Sequence, residues 1–516
     1  MKKFYLLVAV ALCSLASMAT DYTGTINIAV NGSATQQANA SISLDDNSGN
    51  YNFLLKNFTY QVGGVTKNIG NVAINAIPAF AAGNKTLFYA SANVNITAGD
   101  AAGVSAWEGP TLGAVPVKVV GRIQDNYVAI DLEMQLQDAV AAQFSNVGDH
   151  FQIPNSDFEG WAASSGEPDH WHGFKSAYGG LEGWAQGKLG SSTDVRPGTT
   201  GTKSALITAG SVFGVVNNGT MTNGRLKAAN MSASHSDNHS EMDIASEETD
   251  NNGDPFYTAL YAAPDAIQLW LKCSQASNHY ANVSAIAFDG TYYQDPEDKT
   301  YTNVAAKAQN KQVQTGGWRL LNIPFDYASY ASNNAAAQAI LVTFSTNSTP
   351  GGGASGDKVW IDDLELVYHA NVTDFTCQGT TIEGFDANTH EYNFTWENEA
   401  APVASDYNLT VDGKSAVQAV NVEETENGYR VVAIATSGDL MTANAYVINY
   451  EVPVVVKYGD VNGDGEVNVN DVTVLINYIL GKNPTPFIAA NADVNQDTSI
   501  NVNDVTALIN MILGGN

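Results

Sequence analysis

Apolar and polar positions alternate through most of the chain between Asp21 and Asp138. Tyr22 to Ile28 switch with period two, and so do Tyr51 to Leu55, Val115 to Val119 and Val128 to Leu132. Side chains of a strand point alternately to opposite faces, so these runs predict half-buried strands of an antiparallel sheet. Gly, Asn and Asp clusters separate the runs, and no amphipathic helix of useful length interrupts them. A small closed barrel, which leaves no exposed edge, is the expected form. Alternation returns near Val283–Phe288 and Leu341–Phe344, then at Tyr392, Phe394 and Trp396, at Val431–Ile434 and at Tyr446–Tyr450. The pattern changes at the end. Val472, Leu475, Ile476, Ile479 and Leu480 stand at i, i+3, i+4, i+7 and i+8, and Val505, Leu508, Ile509, Ile512 and Leu513 repeat that spacing. Two short amphipathic helices follow from it.

A length of 516 residues exceeds what one core spans, and at roughly 100–200 residues per domain it predicts three to five domains. Hydrophobic residues reach 44% and charged ones only 15%, which excludes global disorder. With 23 Lys and Arg against 53 Asp and Glu, the net charge is −30, the wrong sign for displacing counterions from nucleic acid. Such a chain meets neutral ligands and divalent cations more readily than polyanions. Lys2 and Lys3, the apolar run Phe4 to Ala16 and the small residues of Ser17-Met18-Ala19 predict a signal peptide over 1–19 and a secreted protein. No later segment is long and apolar enough to cross a membrane. Only Cys273 and Cys377 then remain, far apart, so no disulfide framework is expected.

The first β segment, with Tyr22-x-Gly24 and Leu55-x-Asn57-Phe58, resembles the calycin-like barrel domains of secreted bacterial proteins, over residues 20–140. Such a barrel holds an apolar ligand or is filled by its own side chains. Residues 146–370 contain six of the chain's eight Trp. They open with Asp157-Phe158-Glu159-Gly160-Trp161 and close with Trp360-Ile361-Asp362-Asp363-Leu364. These framing motifs are similar to those of a carbohydrate metabolism domain family and of jelly-roll carbohydrate-binding modules. That resemblance implies a Ca²⁺ shared by Glu159 and Asp362, with Asp363 in reserve. Residues 371–456, with the Gly384-to-Tyr392 turn and strand, look like an immunoglobulin- or cadherin-like spacer.

The last 57 residues repeat with a period of 33. Asp460, Asn462, Asp464, Glu466, Asn468 and Asp471 occupy positions 1, 3, 5, 7, 9 and 12 of a twelve-residue loop. Asp493, Asn495, Asp497, Ser499, Asn501 and Asp504 do so again. Hard oxygen ligands at these positions, with a backbone carbonyl at 7, match how an EF-hand surrounds Ca²⁺. Loop then helix, duplicated, with Asp at position 12, resembles a type I dockerin, a calcium-dependent plug for a cohesin-bearing partner (458–516). Positions 10 and 11, which face the partner in that family, are Val469-Asn470 and Val502-Asn503. Thr498 stands at position 6 of the second loop, where Gly suits the tight turn. A tail that binds calcium only to fold is the alternative.

The expected fold class is therefore multidomain and mainly β. It comprises a β-barrel, a jelly-roll β-sandwich, an immunoglobulin-like β-sandwich and a small α-helical EF-hand-like dockerin. Rings stack on the C–H faces of sugars. Trp171, Trp184 and Tyr178, flanked by Gly and polar residues, are the candidate carbohydrate platform, with Trp161 assigned to the core. His170 and His172 beside Asp169, and His235-x-Asp237-x-His239-x-Glu241, lack compact metal spacing and read as solvated loops. Glu159, Glu167, Asp169 and Glu182 are near enough in sequence for a carboxylate pair, but separation is not legible. Carbohydrate recognition in polysaccharide processing is the leading function. A glycoside hydrolase with its acids in the jelly-roll, or a structural surface protein, stands behind it.

Overall fold

The computed structural model describes residues 19–33, 36–185, 187–276, 278–453 and 456–514. The charged and apolar regions of the expected leader lie outside the described residues. The chain is mainly β. β1 (Thr20–Val30), β2 (Gln36–Asn47), β3 (Asn50–Val62), β4 (Val65–Ala82), β5 (Lys85–Asn95), β6 (Ala114–Gln124), β7 (Tyr127–Gln135) and β8 (Ala139–Ser145) form a closed antiparallel barrel. Closure is by β1 against β8, with Ile26 opposite Phe144. The alternation points Ile26, Ile28, Phe53, Leu55, Val117, Val119, Ile130 and Leu132 into a common core, where Phe88 and Phe144 also lie fully buried. The barrel is filled by its own side chains. Gly121 admits the Phe88 ring, since a Cβ there would lie 1.9 Å from it.

The barrel's outer wall is also covered in part. Ala82 and Leu87 pack with Val432, Ile434 and Val447. Arg122 beside them is fully buried; its Nε donates to the Leu440 carbonyl at 2.9 Å and its Nη1 to Asp131 Oδ2 at 2.5 Å.

Residues 188–367 hold two main antiparallel sheets. One has the order Arg319–Pro324, Ala266–Ser274, Lys358–Val367, Ser204–Thr208, Lys188–Ser192. The other has the order Thr220–Thr222, Ala339–Ser345, Ala281–Phe288, Val304–Val313. Ile267, Leu269 and Leu271 of the first share a core with Val283, Ala285, Val342 and Phe344 of the second, which makes the pair a β-sandwich.

The outward face of the four-stranded sheet is written in two halves. Along Ala281–Phe288 the outward residues run Asn282, Ser284, Ile286, Phe288, and along Ala339–Ser345 they run Ala339, Leu341, Thr343, Ser345. The apolar half, Ile286, Phe288, Ala339 and Leu341, is covered by Met242 and Tyr293. These belong to a small sheet of Arg225–Ala228, Asn238–Met242 and Tyr293–Asp295. The polar half lies under a groove.

Residues 371–451 supply a three-stranded and a four-stranded sheet, with Phe375, Phe385, Tyr407 and Tyr446 clustered in ring contact. In the tail, α1 (Val469–Ile479), α2 (Ala489–Ala492) and α3 (Val502–Gly514) surround seven buried apolar residues: Val461, Val472, Leu475, Ala492, Val494, Val505 and Leu508. The amphipathic stripe is wider than this core covers. Ile476, Ile479, Leu480, Ile509 and Leu513 are 38–80% exposed, because two short helices bury only the residues that face each other. Among the described residues no helix is long and apolar enough to cross a membrane.

Candidate functional site

The groove has a cavity volume of about 210 Å³. Its floor is the polar half of the four-stranded sheet: Thr220, Asn282, Thr343, Ser345 and Lys311, with Asp295 at the margin. Asn282 faces Ser345 across the strand pair. Asn217, Asn218 and Asn347 form one wall, and Trp184 stands at the rim, 57% exposed, 6.0 Å from the still more exposed Phe213 ring.

Three side-chain oxygens in this groove, Asn217 Oδ1, Asn218 Oδ1 and Asn282 Oδ1, are shielded from solvent and have no hydrogen-bond partner among the described residues. The Asn218 amide orientation is set, since its Nδ2 donates to the Asn347 and Thr349 carbonyls at 3.1 and 3.2 Å. Buried acceptors without donors cost about 1–3 kcal/mol each, so a bound group that brings donors gains by meeting them. Hydroxyls meet them, and the Trp184 face offers an apolar plane beside them.

The expected ring platform divides three ways. Trp171 is fully buried, in contact with Phe158 (5.3 Å) and Phe344 (5.9 Å), and its Nε1 donates to the Pro154 carbonyl at 3.2 Å. It belongs to the core, and the correction follows from its neighbours: Phe344 comes from a strand far along the chain. Trp161 is partly buried and packs against the same core. Tyr178 lies outside the groove lining; its hydroxyl donates to Glu241 Oε1 at 2.6 Å and the Arg225 guanidinium covers its ring at 4.3 Å. Trp184 alone of the three is at the groove. The orphan amides carry no sequence signal, since Asn217 and Asn282 come from separate elements.

Of the acids considered, Glu159 accepts from the Thr202 and Lys203 amides at 2.6 and 2.8 Å and from the Thr202 hydroxyl at 2.9 Å. Asp362 accepts from the Arg196 amide at 2.9 Å, and Arg196 pairs with Asp363. Burial pushes Asp362 up to about 6. Glu167 is buried, with Oε1 accepting from the Gly173 and Lys175 amides, and burial raises it. Asp295 is the one carboxylate among the described groove-lining residues, and burial raises it too. Glu241 is drawn the other way. Although burial opposes it, hydrogen bonds from His239, Tyr178 and Tyr292 hold it below its ordinary value. His172 is not in a solvated loop: it is fully buried, and burial lowers it to about 4. His239 is likewise buried, bonded to Glu241 Oε2 at 3.0 Å.

In the tail, both loops fold onto their position-12 carboxylate. Asp471 Oδ1 and Oδ2 accept from the Asn462 and Asn468 amides, each at 2.9 Å, and Asp504 does the same for Asn495 and Asn501 at 3.2 and 2.8 Å. Asp471 thereby also completes a capping box with Asn468 at the start of α1. Gly465 and Thr498 at position 6 both adopt positive φ, +89° and +70°. Thr498 accepts the strain that its side chain brings there.

Residues 458–513 match the family model of the dockerin type I domain, and residues 18–150 match that of the calycin-like β-barrel domain. The C-terminal region is thus a type I dockerin and the N-terminal barrel is calycin-like. No curated protein matches the chain. Among solved structures, the chain is similar to a candidate glycoside hydrolase from Bacteroides vulgatus ATCC 8482, at 18% identity over 35% of this chain and 76% of that one, TM-score 0.25. It is also similar to carbohydrate-binding modules of the β-sandwich superfamily, at 7% identity over 63% of this chain and 95% of that one, TM-score 0.21. A third is SGBP-B from a complex xyloglucan utilization locus in Bacteroides uniformis, at 10% identity over 68% and 98%, TM-score 0.18.

Type I dockerins are calcium-binding domains, and the residues here fit that ion. Asp460 is 4% exposed and its Oδ1 has no hydrogen-bond partner, an uncompensated buried acceptor that a cation would satisfy. The second loop differs: Asp493 Oδ1 and Oδ2 already accept from the Asp497 and Thr498 amides at 3.0 and 2.9 Å. Among the described residues, no three His, Cys, Asp or Glu side chains are gathered into a preformed metal group, here or around Glu159 and Asp362. Two of the five side-chain ligand positions in each loop, 3 and 9, are Asn amides, neutral oxygens beside three carboxylates.

Proposed function

We propose that this is a secreted carbohydrate-recognition protein, fixed by its dockerin to a cohesin-bearing partner and acting in polysaccharide processing. The domain reading is a leader (1–19), barrel (20–140), jelly-roll (146–370), spacer (371–456) and dockerin (458–516). The observation that carries the glycan reading is the set of three donor-less Asn oxygens in a groove rimmed by the exposed Trp184. A hydrolase needs two acids about 5–9.5 Å apart. Asp295 as the one described lining carboxylate favours binding without cleavage.

Asp460, Asn462, Asp464, the Glu466 carbonyl, Asn468 and Asp471 would hold one Ca²⁺, and the equivalent residues from Asp493 to Asp504 a second. The ion supplies positive charge at which these oxygens converge. The chain's own residues then fix the start of each helix, through Asp471 and Asp504. Val469 and Val502, 69% and 66% exposed, stand on the first turns of α1 and α3 with Asn470 and Asn503 beside them, where a cohesin would meet them.

The test is incubation of the full chain and its Trp184→Ala variant with a glycan panel, measuring both retention and released reducing sugar. Retention without release, lost in the variant, supports the reading; release of sugar favours the hydrolase, and neither favours a structural protein.

A further inference from the structure

We propose that the groove takes one residue of a longer, soluble polysaccharide chain and that Phe213 carries the next residue, beside Trp184. This rests on the glycan reading above and adds the length and form of the ligand.

The cavity of about 210 Å³ is smaller than the roughly 300–1,000 Å³ that enclose a drug-sized ligand. A polymer seated in it therefore leaves over the rim. Beside Trp184 that rim is a two-stranded hairpin, Gly210–Val212 paired with Val215–Asn217. Val212, Val215 and Asn217 line the groove, so the hairpin continues its wall. Phe213 and Gly214 make the two-residue turn, with φ of +50° and +83°. Positive φ at both turn positions suits Asn-Gly and not an aromatic side chain. Phe213 is also 80% exposed, so its ring is neither buried nor set on a relaxed backbone. It gains the fold nothing there, and a strained, exposed ring at the edge of a groove is a ligand contact.

The form of the ligand follows from the ring geometry. The Trp184 and Phe213 centroids lie 6.0 Å apart, ring-contact distance, so no sugar enters between them and both stay open to solvent. Their planes are inclined by 37°, which leaves no common plane. A chain free in solution turns about its glycosidic bonds and lays successive C–H faces on both rings. A chain locked in a crystal presents one flat face and meets only one of them.

The experiment titrates the full chain calorimetrically with β-1,4-linked gluco-, xylo- and manno-oligosaccharides and α-1,4-linked gluco-oligosaccharides, from the monosaccharide to the hexasaccharide. Retention on the soluble polymers is compared with retention on crystalline cellulose and chitin. The expected result is affinity that rises about tenfold from the monosaccharide to the trisaccharide in the series that binds, and retention on soluble over crystalline polymer. Phe213→Asn removes the ring and gives the turn a residue it favours, so the fold is kept. It lowers hexasaccharide affinity about fivefold, while Phe213→Trp retains it. A flat series, or hexasaccharide affinity unchanged in Phe213→Asn, overturns the second subsite; if Trp184→Ala still abolishes retention, the glycan reading stands. Preference for the crystalline polymers also overturns the proposal. Binding of nothing in the series or on the polymers overturns both.

Discussion

Trp171 and Trp184 lie 13 positions apart in one aromatic-rich stretch, and truncating each to Ala gives opposite outcomes. Trp171 has no exposed surface, touches Phe158 and Phe344, and anchors its indole N–H on the Pro154 carbonyl. Trp171→Ala removes that ring from the shared core of both sheets and leaves a cavity, a loss of about 3–5 kcal/mol. The Pro154 carbonyl also loses its donor. Trp184 is 57% exposed at the groove rim, and Trp184→Ala shifts stability by no more than about 0.5 kcal/mol. Urea unfolding followed by near-UV circular dichroism reads the first effect, as an early loss of the sandwich's transition in a multidomain melt. Glycan retention at a temperature where both variants are folded reads the second. Equal destabilisation by the two substitutions would refute the division of these rings between core and rim.

Four further outcomes follow from the same structure. Chelating divalent ions strips α-helical circular dichroism from the tail and releases a cohesin partner, because a core of seven buried apolar residues does not hold a domain of this size alone; an unchanged helical signal in EGTA counts against it. Asp460→Ala does the same for the first loop, read as the loss of one calcium in a calorimetric titration. Arg122→Met leaves the Leu440 carbonyl without its buried donor, while the partly exposed Asp131 keeps Gln143 Nε2 at 2.7 Å, and costs about 1–3 kcal/mol in denaturant unfolding. His172, held near 4 by burial against an ordinary 6.5, binds its proton more readily unfolded than folded. Its contribution to stability is present above pH 6.5 and is lost as pH falls from 6.5 towards 4. His172→Gln should flatten the stability profile in that window, and an unaltered slope would contradict the assignment.

The tail and barrel were legible because their signals are local. A 33-residue repeat of oxygen ligands and a period-two alternation each state their structure within a few residues. The extent of burial in α1 and α3 was not legible. Ile476 and Leu480 obey the helical spacing that Leu475 obeys, and only the packing of one helix on the other decides which of them is covered. The rings of residues 161–184 failed to sort for the same reason: Trp171 is buried by Phe344, which no spacing connects to it. The groove was half written in the sequence. Asn282 and Ser284 preceding Ile286 and Phe288 mark a strand face that is polar at one end and apolar at the other. What covers the apolar end depends on Met242 and Tyr293, from two other segments.

Crystals of the full chain soaked with the oligosaccharide it retains best give the most direct measurement of the central claim. Difference density over Thr220, Asn282, Thr343 and Ser345, with a sugar hydroxyl within hydrogen-bond distance of Asn218 Oδ1 and a ring face on Trp184, is the predicted result. Density seated instead on the opposite sheet, against Trp270 and Leu320, with this groove left to solvent, would contradict it.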